Sequence, residues 1–77
     1  MGRVGLCLER QRVNSAAIRA IGYEPVSEVL EVEFHKGPIY RFEGVPEFLY
    51  RGFIASRSKG KFFHTRIANR FPFQQIR

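Results

Sequence analysis

Five cations, Arg57, Lys59, Lys61, Arg66 and Arg70, fall within fourteen residues, with Phe62 among them and Tyr50 shortly before. Ammonium and guanidinium groups meet phosphate oxygens, and aromatic faces stack on unpaired bases, so this mixture suits single-stranded RNA or a tRNA loop. Phe62 has a second use, because a chain this small must also draw on its phenylalanines for a core. The charge is segregated along the chain. Residues 1–23 carry +3 and residues 24–50 carry −4, whereas residues 51–77 hold seven cations and no acid, for a net charge of +6. A field of one sign over the last third attracts a phosphate backbone or an acidic protein surface.

Other chemistry is poorly supplied. His35 and His64 have neither the spacing of an HExxH pair nor cysteine companions, so no metal site is expected. Glu31 and Glu33 alternate with apolar residues and are expected on the exposed side of a strand, and paired-carboxylate catalysis would require a cleft as well. Ser56, Ser58 and Thr65 serve more simply as caps and local hydrogen-bond formers than as nucleophiles. Ser58-Lys59-Gly60-Lys61 lacks the G-x-x-x-x-G-K-[ST] arrangement of a phosphate-binding loop. A non-catalytic protein is expected, with no cofactor, no metal and no small-molecule substrate.

The frame for these residues is small. Seventy-seven residues make one domain at most, and 44% apolar against 26% charged residues places the chain among globular rather than disordered sequences, with eight Phe and no Trp to build its core. Cys7 alone excludes an internal disulfide; it is expected as a small buried residue in a reducing, intracellular setting. No apolar run approaches the roughly 20 residues that span a bilayer, and Met1 to Arg10 lacks a signal-peptide core. No membrane partner is expected, and the cytoplasm is the expected location.

In chain order, residues 1–12 form an amino-terminal extension compatible with an edge strand or a loose tail, and residues 13–77 form the domain. From Ser15 to Tyr23 the alternation predicts a strand with Ala16, Ile18 and Ala20 on one side and Arg19 on the other. Val29 to His35 is the clearest strand, with Leu30, Val32 and Phe34 on one face and Glu31, Glu33 and His35 on the other. Ile39 to Phe42 completes a hairpin whose register depends on its loop. A two-residue loop would set Tyr40 and Phe42 on the polar side as a stacking platform. A three-residue loop, His35 to Gly37, pairs Leu30 with Phe42, Glu31 with Arg41 and Val32 with Tyr40. The latter satisfies an ion pair and an apolar face together and is the register expected.

A helix is predicted from about Pro46 to Ser56, covering the sheet through Leu49 and Phe53, with Gly52 allowing close approach. A second helix should start at Ser58 as its cap, bring Gly60 into close approach, anchor through Phe63, Ile67 and Phe71, and end near Arg70 or Phe71 before Pro72. His64 could instead break it into two short turns. Phe73 to Ile76 packs back on the sheet as an extended tail. The fold expected is therefore α+β: a small antiparallel sheet of about three strands followed by two short helices on one face.

Several residues on these elements also carry a family pattern. Ser15, Ile18, Ile21-Gly22-Tyr23-Glu24-Pro25, Leu30, Val32, Phe34, Gly37, the Tyr40/Phe42 pair, Val45-Pro46, Ala55, Ser58, Gly60, Phe63 and Ile67 together resemble the KTSC domain. That module is named for the carboxyl terminus of some lysyl-tRNA synthetases and also occurs as a stand-alone small protein. Phe42 replaces the second tyrosine of its central Tyr-x-Tyr pattern, which removes a hydroxyl and leaves a stacking ring. The resemblance implies no established activity and, from the synthetase context and the aromatic motif, a suggestion of RNA binding. The expectation is a nucleic-acid-binding module acting through Arg57, Lys59, Lys61, Arg66 and Arg70, with Tyr50 and Phe62 as stacking residues. The rival is a protein-interaction adaptor, such as a phage or host accessory factor, whose basic face recognises an acidic protein. A self-associating protein that adds Leu6-Cys7-Leu8 as a strand is a third class.

Overall fold

A computed structural model describes residues 8–77. Five antiparallel strands lie in chain order across one sheet: β1 (Gln11–Arg12), β2 (Ile18–Glu24), β3 (Val29–Phe34), β4 (Ile39–Phe42) and β5 (Phe73–Gln75). Between β4 and β5 run α1 (Glu47–Ala55), α2 (Lys59–Phe62) and a π-helical turn, Phe63–Ile67. The sheet thus has five strands rather than about three. The two additional strands are its edges, and with two and three residues they are too short to show an alternating pattern. Leu6 and Cys7 of the segment Leu6-Cys7-Leu8, considered as an added strand, lie outside the described residues, among which the first strand begins at Gln11.

The hairpin adopts the three-residue loop. Phe34 N–H donates to Pro38 O at 3.0 Å and Gly37 N–H to Phe34 O at 2.9 Å, while Gly37 takes φ +117°, which favours glycine. The partners are Leu30 with Phe42, Glu31 with Arg41 and Val32 with Tyr40. Strand β2 departs from the predicted alternation. A register shift between Ile18 and Ala20 sets Ile18 opposite Phe34 and Ile21 opposite Val32, leaving Ala20 opposite Glu33 on the other face. An inserted residue of this kind moves every following side chain to the opposite side.

The front of the sheet is the core. Ile18, Ile21, Leu30, Val32 and Phe42 pack against Val45, Leu49, Phe53, Phe63 and Ile67, all buried. Phe63 is the anchor of the second helical segment, with Phe34 and Phe42 at 5.3 and 5.5 Å. That segment is shorter than predicted. Ala68 N–H reaches back five residues to Phe63 O at 2.8 Å, closing a π turn, and Asn69 at φ +64° redirects the chain. Arg70 and Phe71 consequently lie beyond the helix.

The back of the sheet differs from the expected solvated face. Glu31 is 1% exposed. Arg10 Nη1 donates to its Oε1 at 2.6 Å, and Arg41 donates to Oε2 through Nη2 at 2.7 Å and Nε at 3.1 Å. Glu33 draws Arg77, Arg10 and Arg19 to 3.0, 3.4 and 3.7 Å. Residues 8–10 cross this face over Gly22, where a Cβ would stand 3.0 Å from both Glu9 O and Arg10 Cγ. Gly22 lies opposite Glu31, so its missing side chain lets Arg10 descend onto the carboxylate.

Candidate nucleic-acid interface

The α1–α2 junction positions the predicted cations. Helix α1 ends at Ser56, whose N–H bonds to Phe53 O at 3.2 Å. Ser56 Oγ then accepts from Ser58 N–H at 3.1 Å, and Lys59 Nζ donates to Ser56 O at 2.8 Å. Lys59 is therefore half-buried and engaged, its ammonium sitting where the negative end of α1 favours a cation. Ser58 occupies the cap position of α2 without a side-chain capping bond, because the serine chemistry here closes a local turn instead. Gly60 makes no close approach: a Cβ there would meet Ala17 Cβ at an ordinary 3.9 Å. At this junction the close approach is at Gly52, over which Phe62 ring carbons lie 3.2 and 3.3 Å from where a Cβ would be.

Arg57, Lys61, Arg66 and Arg70 are exposed. Among the described residues, no carboxylate forms an ion pair with these four or with Lys59, although Arg51 of the same third pairs with Glu47 at 3.1 Å. Arg66 lies 5.4 Å over the Phe62 ring, and Phe62 also stacks on Phe53 at 5.5 Å and 19°. Phe62 thus works in the packing while holding a guanidinium outward. Tyr50 joins a different group. Its ring stacks on Tyr23 at 4.5 Å and 9°, and it lines a recess with Arg10, Gly22 and Tyr23. Tyr23 O–H donates to Val45 O at 2.5 Å; burial first, and then Glu28, Glu47 and Glu24, raise its phenolic pKa above the ordinary value of 10.0.

Two recesses meet at the turn that follows the π helix, and the sequence did not point to them. One, of about 220 Å³, is lined by Tyr40, Phe42, Phe63, Ala68, Asn69 and Phe73. The other is lined by His64, Thr65, Ala68, Asn69, Arg70 and Phe71. His35 stands elsewhere, with Nε2 2.9 Å from Ser15 O, fastening the β3–β4 hairpin to the start of β2. The aromatic lining comes from β4, the π turn and β5, and of these only the expected packing of Phe73 to Ile76 back on the sheet hinted that this tail would supply a wall.

These elements define a small α+β module: a five-stranded antiparallel sheet, one face covered by two short helices, with a cationic corner that no carboxylate among the described residues pairs with. The chain belongs to the KTSC domain family, which it matches over residues 14–71. The fold is similar to the crystal structure of a KTSC domain protein from Yersinia pestis, 38% identical, with a TM-score of 0.86 over 92% of this chain and 100% of that one. In sequence it is 35% identical over 57 residues to an uncharacterized protein of Stutzerimonas stutzeri, spanning 74% of this chain and 80% of that protein. It is also 36% identical over 59 residues to a lysine–tRNA ligase of Nostoc, spanning 77% of this chain and 10% of the ligase. No helix among the described residues is long and apolar enough to cross a membrane.

Proposed function

We propose that this protein is a non-catalytic nucleic-acid-binding module that takes single-stranded RNA, or a tRNA loop, on the cationic corner formed by α2, the π turn and the residues after it. The observation that carries this is the contrast in pairing: Arg57, Lys61, Arg66 and Arg70 are exposed with no carboxylate partner among the described residues. Unneutralised cations release counterions when phosphates replace the surrounding salt. Arg66, held over Phe62, presents a flat guanidinium suited both to phosphate and to base stacking. Lys59 and Tyr50 take lesser parts, since one is bonded to Ser56 O and the other is stacked on Tyr23. The likeness to a segment of a lysine–tRNA ligase is consistent with an RNA partner and transfers none of the ligase's activity.

The test is a salt titration of binding to a short single-stranded RNA. Each phosphate contact should contribute a slope of about −0.7 in log affinity against log salt. An affinity that stays flat from low to physiological salt overturns the proposal. Capture of an acidic protein that persists after nuclease treatment, with no RNA affinity, would assign the same cations to an adaptor surface instead.

A further inference from the structure

We infer that the aromatic recess beside Asn69 seats one unpaired nucleobase of a bound single strand, while the adjoining recess at His64 and Arg70 receives the phosphate next to it. This rests on the nucleic-acid function proposed above and adds a base contact that the cations alone do not supply.

The recess has the shape and chemistry for a flat ring. Its volume of about 220 Å³ falls below the roughly 300–1,000 Å³ of pockets for drug-sized ligands, which suits one ring system. Phe42 and Phe63, both buried, form its floor with ring planes at 74° and centroids 5.5 Å apart. Phe73 stands 5.7 Å from Phe42 and 5.8 Å from Tyr40, and at 54% exposure it leaves an apolar face on the rim uncovered. An unpaired base stacks on such a face irrespective of its identity. Of the aromatic walls only the Tyr40 hydroxyl can hydrogen-bond, and Asn69 adds a side chain with two donors and an acceptor for a base edge.

The second recess decides the occupant. It shares Ala68 and Asn69 with the first and adds His64, Thr65 and Arg70, so one turn of chain separates an apolar slot from a cationic one. A nucleotide holds its base and its phosphate at a similar juxtaposition. An uncharged aromatic ligand would leave Arg70 without a role, whereas a strand uses both sides.

The experiment compares a short single-stranded RNA with an abasic strand of equal length and charge, by fluorescence anisotropy on the full chain at one salt concentration. The abasic strand is expected to bind about 5- to 150-fold more weakly, the range for stacking one base on an aromatic side chain. Phe73→Leu should remove most of that difference and leave the salt slope unchanged. Asn69→Gly, which retains a backbone at φ +64° that glycine adopts freely, should narrow the differences among homopolymers of the four bases. Equal binding of abasic and base-bearing strands overturns the base seat and leaves the cationic interface standing; binding of neither overturns both. A difference that survives Phe73→Leu and Asn69→Gly, with unfolding curves showing both variants folded, also overturns the seat.

Discussion

On the back of the sheet, Glu31 and Glu33 hold Arg10, Arg19, Arg41 and Arg77 at 2.6–3.7 Å. Around α2 and the π turn, Arg57, Lys59, Lys61, Arg66 and Arg70 meet no carboxylate among the described residues. Four guanidiniums against two carboxylates leave +2 on the first surface, and five cations against none leave +5 on the second. The two regions hold similar numbers of cations and differ in the placement of acids. A cation facing a buried carboxylate contributes to folding, and one facing water is available to a partner. The difference can be broken at either end.

The largest effect is expected at Glu31. Removing one member of a buried ion pair costs about 3–5 kcal/mol because the remaining charge is left uncompensated. Arg10 and Arg41 keep side-chain exposures of 26% and 23%, so Glu31→Ala should lie near the lower end, about 3 kcal/mol in urea unfolding, a large part of the 5–15 kcal/mol typical of a whole domain. A loss below about 1 kcal/mol would make the back of the sheet an ordinary solvated face. Gly22→Ala comes next. Its new carbon would be 3.0 Å from backbone atom Glu9 O, which cannot rotate away, and overpacking of this kind costs about 1–3 kcal/mol. Both substitutions act through Arg10, so the double variant should lose less than the sum of the two.

The burial of Glu31 explains why one surface was legible in the sequence and the other was not. Alternation along Val29 to His35 assigns Glu31 to the polar face, and that assignment is correct. What covers the face is residues 8–10, from across Gly22, a contact that no local period encodes. The hairpin register, in contrast, was readable because Gly37, the Leu30–Phe42 pair and the Glu31–Arg41 pair all favour one loop length. Strand β1 is too short to announce itself, β5 lies within the extended tail expected over Phe73 to Ile76, and the π turn follows from a five-residue hydrogen bond that the four-residue spacing of Phe63 and Ile67 does not distinguish from an α-helix. In the candidate site the cations were evident by type. The engagement of Lys59 with Ser56 O, the withdrawal of Tyr50 onto Tyr23, and a recess built from Tyr40, Phe42, Phe63, Ala68, Asn69 and Phe73 depend on how distant segments meet.

Tyr23 offers a smaller perturbation beside the same sheet. Tyr23→Phe removes the hydrogen bond to Val45 O and should cost about 1 kcal/mol at neutral pH. Because the folded phenol titrates above its ordinary value of 10.0, the unfolded chain releases that proton first. Unfolding therefore releases a proton as pH rises past about 10, and the native protein loses stability there. The contribution is intact below pH 10, and the difference between native and Tyr23→Phe stability should shrink above it. A difference that stays constant from pH 8 to 11 would show that the phenol does not titrate with folding.

The smallest effect on stability is expected where the largest effect on binding lies. Lys61→Glu and Arg70→Glu alter exposed side chains with no ion-pair partner among the described residues, and surface changes of this sort usually stay within about 0.5 kcal/mol. Arg66→Glu should cost somewhat more, since its placement over Phe62 belongs to a class of interaction contributing about 0.5–1 kcal/mol at exposed sites. Each reversal should nevertheless flatten the salt dependence of RNA binding by about 0.7, the share of a single phosphate. Gly22→Ala, if folded under the conditions used, should leave that slope unchanged. The comparison between the two surfaces fails if these assignments cross: if Lys61→Glu or Arg70→Glu unfolds the domain, or if disturbing the Glu31 network flattens the salt dependence as much as reversing Arg66 does.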